Sequence, residues 1–339
     1  MKAIITGGAG FIGSNAAARY LQRGDQVVII DNLSRQGGEK NLEWLKRQGS
    51  LSFVQADIRD AEEMNRAFDA HRDADLILHL AGQVAVTTSV ADPRADFEAN
   101  AIGTLNVLEA ARRAELQAPI LFSSTNKVYG GMEDVGVAAL NGHYAYASLP
   151  NGVDEEQNLD FHSPYGCSKG AADQYVRDYS RIYGMKTVVF RQSCIYGYRQ
   201  LGVEDQGWVA WFTIAAVLDR PITIYGDGKQ VRDILFIEDL LDAYDAALRN
   251  IDRTSGKVYN IGGGPQNVMS VREVLEFLSR RQNRDVPFEL ADWRPGDQRV
   301  YVSNIAKAKT DFGWEPKISS AKGLELLYDW VSANTDLFR

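Results

Sequence analysis

Lys2-Ala3-Ile4-Ile5-Thr6-Gly7-Gly8-Ala9-Gly10-Phe11-Ile12-Gly13-Ser14 is the stretch that decides how this chain folds. Ala3–Thr6 reads as a short buried strand that runs straight into a glycine string and then a helical pattern over Ser14–Arg23. Glycines so placed allow a tight turn, close approach of backbone N–H groups to a pyrophosphate, and packing of helix on strand. The helix N-terminus adds its partial positive charge. The next strand pattern, Gln26–Ile30, ends at Asp31, about where an acid meets the adenosine ribose hydroxyls, roughly 20 residues on. A carboxylate there repels a 2′-phosphate, so the pattern favours NAD over NADP, although Arg35 could accommodate that phosphate. Asp57 and Ile58, after the third strand pattern at Leu51–Gln55, suit the adenine edge.

Outward from this start, strand patterns at Leu76–Leu80, Ile120–Ser123 and Thr187–Phe190 alternate with helical ones at Phe97–Ala114 and Tyr165–Tyr183. Short loops between them imply an α/β fold with a parallel sheet covered by helices on both faces. The expected architecture is a Rossmann-type doubly wound parallel sheet with a smaller α/β substrate lobe. Residues 1–195 and about 234–262 are assigned to the cofactor lobe, and about 196–233 and 263–339 to the other. The 339 residues carry a net charge of −8, which argues against nucleic-acid polymers and anionic membranes as partners. No apolar run reaches the roughly 18 residues of a membrane span. Two cysteines, Cys167 and Cys194, cannot build a disulfide framework, and neither has a His or Cys partner at metal-ligand spacing. A cytoplasmic protein without a metal is expected.

Tyr165 and Lys169 stand one helical turn apart and share a face. An ammonium beside a phenol favours the phenolate and lowers its pKa from about 10, which suits a general base. Spacing alone is weak, because Tyr225 and Lys229 repeat it across Gly226-Asp227-Gly228, a loop. The company of the first pair is stronger: Ile120–Thr125 ends a strand in hydroxyls, and ligands bind at such strand ends. His79 reads as a packing residue and Cys194 as a small buried side chain. Cys167 and Ser168 are expected to pack, and Trp208 and Trp211 to wall a nucleotide or fill core.

Gly7-x-x-Gly10-x-x-Gly13, Asp31, His79-Leu-Ala-Gly82, Asn100-Ala-Ile-Gly-Thr104, Ser123-Ser-Thr-x-x-Val-Tyr-Gly130, Tyr165-x-x-x-Lys169, Tyr225–Asp233 and Arg294-Pro-Gly-Asp297 together resemble the extended short-chain dehydrogenase/reductase family. The resemblance covers nearly the whole chain and implies a sugar-nucleotide enzyme with tightly bound NAD. Thr125 matches the catalytic hydroxyl, Tyr165 the base and Lys169 its partner. Around NAD the match places Gly7, Gly10, Phe11, Ile12 and Gly13, then Asp31, Asn32, Ser34, Arg35, Asp57 and Ile58. It adds Leu80, Ala81, Gln83, Asn100, Ser123, Tyr165, Lys169 and Gln192. Gln83, Thr125, Asn126, Lys127, Cys194, Trp208, Val209 and Tyr225 match substrate positions, and Arg232 and Arg294 match those that grip a diphosphate.

Dehydratases of the family follow the two serines with Thr-Asp-Glu; this chain has Thr125-Asn126-Lys127 and so lacks the usual acid/base pair for elimination. Reversible oxidation of an alcohol to a ketone, with hydride returned to the opposite face, remains. Phe161–Lys169 and Asp205–Phe212 are similar to the branch that inverts carbon 2 of CDP-linked hexoses. Cys194 replaces the Asn that 4-epimerases place near the sugar diphosphate. A 4-epimerase, a 4,6-dehydratase and a non-catalytic NAD sensor are the alternatives. A homodimer through a four-helix interface of Phe97–Ala114 and Tyr165–Tyr183 is implied by resemblance.

Overall fold

The computed structural model describes residues 1–140, 142–294 and 297–338. Pro295 and Gly296, within the Arg294–Asp297 motif, lie outside the described residues. The chain forms two compact units.

The first unit takes in 1–128, 163–191 and 244–259. It runs β1 (Lys2–Thr6), α1 (Phe11–Gln22), β2 (Gln26–Asp31), α2 (Gly38–Leu45), β3 (Ser52–Gln55), α3 (Ala61–Asp69) and β4 (Leu76–His79). Then come α4 (Val86–Ala91), α5 (Pro93–Phe97), α6 (Gly103–Arg113) and β5 (Ile120–Thr125), followed later by α7 (Ser163–Tyr183) and β8 (Thr187–Gln192). The sheet order is β3-β2-β1-β4-β5-β8, with β12 (Lys257–Ile261) at the far edge. Pairing is parallel from β3 across to β5. Ile4, Ile77 and Ile120, one from each of three neighbouring strands, are fully buried with Val107 and Leu108 of α6; each such side chain contributes about 1.5–3 kcal/mol by leaving water. Strands β1–β5 and β8 and helices α1, α6 and α7 answer to the strand and helix patterns read from the sequence; α2, α3, α4 and α5 add to them. One differs: the helix expected over Phe97–Ala114 opens into a π-helical turn at Glu98–Ile102.

The second unit takes in 129–162, 192–243 and 260–339. Its elements are the hairpin β6 (Val137–Leu140) and β7 (His143–Tyr146), β9 (Cys194–Tyr196), α8 (Trp208–Val217), β10 (Thr223–Tyr225), β11 (Val231–Phe236) and the start of α9 (Ile237–Arg249). After the short α10 (Ile251–Thr254) of the first unit come β13 (Val268–Ser270), α11 (Val271–Gln282), β14 (Glu289–Ala291), β15 (Val300–Tyr301), α12 (Ala306–Phe312) and α13 (Ser320–Ala333). β11 is central, flanked by β13, β15 and β9, and β10 pairs with β14. The expected division is shifted: 129–162 belongs here rather than to the cofactor lobe, as do 192–195, 234–243 and 260–262. The hairpin explains the first shift, since Tyr144 N donates to Lys229 O at 3.0 Å and Tyr146 Oη to Val300 O at 2.9 Å.

Candidate active site

In the first unit β1 and β4 pair side by side where the strand order reverses, the point at which open α/β sheets take ligands. Gly7 leaves β1 with φ +70°; a Cβ on it would stand 2.7 Å from Ala81 N, and one on Gly13 only 2.2 Å from Gly7 O. Glycine alone lets this loop close. α1 then starts at Phe11 and Ile12 behind Gly10 as N-cap, with no side-chain cap and no acid in its first turn. Its leading N–H groups are therefore open to an anion. Asp31 accepts from Ala9 N at 3.0 Å and Leu33 N at 2.8 Å, and burial raises its pKa. Asn32 donates to Asp57 at 2.9 Å and accepts from Ser34 N at 3.0 Å, while Arg59 holds the Asp57 carboxyl down at about 2. Ile58 is buried and stands against Gly103. An uncapped helix end for a pyrophosphate and a half-buried carboxylate for a diol fit a dinucleotide. The buried Asn100 Oδ1, without a hydrogen-bond partner among the described residues, adds a waiting acceptor. Beyond β4, Leu80 N donates to Thr6 O, and Gln83 turns back to bond Ala85 in its own loop.

Thr125 ends β5, and Tyr165 and Lys169 occupy the first turns of α7; all three are under a tenth exposed. The Thr125 hydroxyl accepts from Lys127 N at 3.2 Å and donates to Asn126 Oδ1 at 3.5 Å, and its side chain favours the ionised form of Tyr165. Asn126 and Lys127 open the 3-10 turn that follows. The Lys169 ammonium donates to Ser123 O at 2.6 Å and lies 4.3 Å from the Phe122 ring centroid. Burial lowers Lys169 to about 8 and raises Tyr165 to about 12. The phenol therefore does not fall below 10 as the spacing with Lys169 led us to expect. Desolvation outweighs the help of Thr125 and Arg35, and Asp96 pushes the same way as desolvation.

One turn beyond Lys169, Asp173 forms a buried two-pronged pair with Arg191 of β8, both contacts 3.0 Å, and also accepts from Ser124 Oγ at 2.7 Å. Asp173 thus ties β5, α7 and β8 together beside the reactive groups. Ser168 is buried as expected, but Cys167 is exposed rather than packed. His79 is a packing residue: fully buried, held by Thr6 at 2.7 Å and Thr104 at 3.0 Å, and pushed down to about 3 by burial.

In the second unit Arg294 lies 3.7 Å from the Tyr225 ring centroid and pairs with Asp205 at 2.9 Å. Arg232 stands 3.8 Å from Asp297 and donates to Val231 O at 2.8 Å. Both guanidiniums are partly buried and balanced by acids rather than loose on the surface. Cys194 is a neutral thiol pushed up to about 12 by burial. Trp208 meets Phe212 edge to face, and Val209 is a buried position of α8. Gln192 is buried at the end of β8. Among the described residues no cluster of three metal-binding side chains occurs, and no helix is long and apolar enough to cross a membrane.

Asp96, Asp173 and Phe122 were not singled out in the sequence. Acids within otherwise apolar helical faces were the available signal for the first two; nothing marked Phe122.

A sequence profile described as GDP-mannose 4,6 dehydratase matches residues 4–327. The chain is 47% identical over 338 residues to the CDP-paratose 2-epimerase of Salmonella typhi, covering 98% of this chain and 100% of that one. Among solved structures it is similar to the UDP-glucose 4-epimerase of Thermotoga maritima with UDP-glucose, with a TM-score of 0.84 and 31% identity over 99% of this chain and all of that one. It is also similar to the Thermus thermophilus UDP-glucose 4-epimerase in complex with NAD, with a TM-score of 0.81 and 32% identity over 98% of this chain and 100% of that one.

Proposed function

The chain belongs to the extended short-chain dehydrogenase/reductase family, and on that premise we propose that it is an NAD-dependent epimerase inverting carbon 2 of a CDP-linked hexose. The observation that carries the reading is the full-length likeness to a CDP-paratose 2-epimerase. Asn126-Lys127, where the dehydratase pattern has Asp-Glu, supports it. When bound, NAD supplies a ring that takes a hydride from a carbinol carbon and gives it back. Tyr165 serves as base in its phenolate form, taking the proton of the C2 hydroxyl and returning it, so activity rises with pH toward the phenol pKa that burial sets at about 12, with the Thr125 hydroxyl at the end of β5 proposed to share that proton. Lys169, fixed by Ser123 O and the Phe122 face, keeps positive charge beside the reacting oxygen. α1 and Gly7–Gly13 hold the cofactor pyrophosphate, and Asp31 its ribose. Arg232 and Arg294 take the substrate diphosphate, a role suited to guanidinium forks.

The protein works in the cytoplasm as a homodimer, a reading that the exposed apolar side chains of the first unit support. Phe97 and Ile102 stand open beside α6, as do Tyr175, Ile182 and Tyr183 on α7, an apolar surface that a second copy would cover. Light scattering returning a monomer would reject the dimer. The function is tested on purified protein. It should release NAD on denaturation and equilibrate CDP-paratose with its 2-epimer without added cofactor. Inversion at carbon 4 with carbon 2 untouched would overturn the regiochemistry.

A further inference from the structure

Asp96 lies in α5 with 1% exposure and has no part in the proton transfer proposed for Tyr165. Its Oδ2 accepts from Ser168 Oγ at 2.5 Å, and its Oδ1 accepts from Asn100 Nδ2 at 3.1 Å. Asn100 Nδ2 is also 3.1 Å from Ser168 Oγ, which closes a three-membered buried cluster. Asn100 reaches this position from the π-helical turn Glu98–Ile102, a wider turn that recurs at functional sites. Ser168 stands between Tyr165 and Lys169 on the same turn of α7, so the carboxylate is joined by one hydrogen bond to the segment carrying both.

A buried carboxylate is costly unless something compensates it. Its hydrogen bonds are neutral, and its charged neighbour is Lys169. Around this group, Tyr165, Ser168 and Lys169 face it from α7, and Asn100 from the π turn. On its own element Arg94 pairs with Glu98 at 3.1 Å at the surface. Arg35 acts on Tyr165, and Asp173 acts on Lys169. Burial alone favours a neutral lysine, while Asp173 and Asp96 both favour the ammonium.

We propose that Asp96 is a positioning residue for proton transfer: through Ser168 it fixes the first turn of α7, and its charge sets the pH window in which Tyr165 and Lys169 work. The inference rests on Tyr165 being the base. A negative charge beside the pair disfavours phenolate and favours ammonium, so removing it moves both ionisations to lower pH.

Asp96→Asn keeps the shape and removes the charge. Both limbs of the kcat profile against pH should move down by roughly half to one unit, with kcat at the optimum falling about tenfold. Asp96→Glu should keep the wild-type profile at reduced rate. Ser168→Ala, which breaks the bond and leaves the charge, should lower kcat without moving the limbs. Asp96→Ser serves as a second neutral variant if the amide does not fold. Titration of 13C-labelled Lys169 by NMR, assigned by loss of its signal in Lys169→Met, gives a readout independent of turnover. Its midpoint should fall by the same half to one unit in Asp96→Asn. A midpoint and limbs that stay in place in a folded neutral variant overturn the proposal. If the wild type is inert on CDP-hexoses, the reading of the substrate fails, and the Lys169 titration still decides the role of Asp96.

Discussion

In the first unit Tyr165, Lys169, Asp96, Asp173 and Arg191 are all under a tenth exposed. In the second unit Arg232 and Arg294 keep 15% and 24% of their side chains open and lean on Asp297 and Asp205. Desolvation governs the first set: it moves the phenol up and the ammonium down, and hydrogen bonds hold Lys169, Asp96, Asp173 and Arg191 each in one geometry. Screened pairing governs the second set, where an ion pair is worth little to stability and an acid can be exchanged for phosphate oxygens. Under the proposed function, the contrast would separate groups that fix protonation from groups that exchange an acid for the substrate's phosphates. Substitutions in the first unit should therefore change turnover, and those in the second should change substrate affinity.

The hardest test of that division is Tyr165→Phe. It should lower kcat by about a thousandfold, within the range of a lost general base, while the purified protein still carries NAD. Retained turnover would remove the phenol from the chemistry. A non-catalytic sensor of NAD would instead behave identically in every binding assay and never turn over.

His79 probes the cost of burial in the same unit away from the reacting atoms. Its folded pKa is depressed from 6.5 to about 3. Below about 6.5 the unfolded chain takes up a proton that the folded chain does not, so stability is full above that pH and falls as pH drops toward 3. Between pH 7 and pH 5 the loss should be about 2 kcal/mol, read from urea midpoints. In His79→Gln that part of the pH dependence should vanish; an unchanged dependence would show the imidazole to be solvated.

Arg294→Ala carries the comparison into the second unit. KM should rise about tenfold, the scale of one lost charge-assisted contact, with kcat and melting temperature nearly unchanged. A large fall in kcat would contradict the exchange role. The smallest effect belongs to Asp205→Asn, which removes the nearer of the two acids beside Arg294 and leaves Glu204 at 4.0 Å; it should lower KM about twofold to threefold. An increase in KM would show that the pair positions the guanidinium for substrate instead of competing with it.

The order of strands and helices was legible because buried parallel strands are runs of Val, Ile and Leu, and because glycine spacing reports a backbone approach that no other residue permits. Gly7 turns out of β1 with a positive φ, Asp31 ends β2, Thr125 ends β5, and Tyr165 and Lys169 share the first turns of α7, the fold positions that the patterns predict. What escaped it depends on distances between remote segments. Asp173 and Arg191 meet across α7 and β8, and Asp96 meets Ser168 from α5; neither meeting has a local spacing. The pKa of Tyr165 escaped for a different reason, since the i, i+4 rule counts the neighbouring charge and not the water that burial removes. The hairpin β6–β7 was assigned to the wrong unit because its pairing with Lys229 and Val300 lies far along the chain.

Hydride removal and return at carbon 2, with NAD kept in the protein, is tested most sharply with CDP-paratose carrying deuterium at C2, incubated with purified protein and followed by NMR. The 2-epimer should form with the deuterium still at C2 and with no added NAD. Loss of the label to solvent, or inversion at C4 with C2 unchanged, would contradict it.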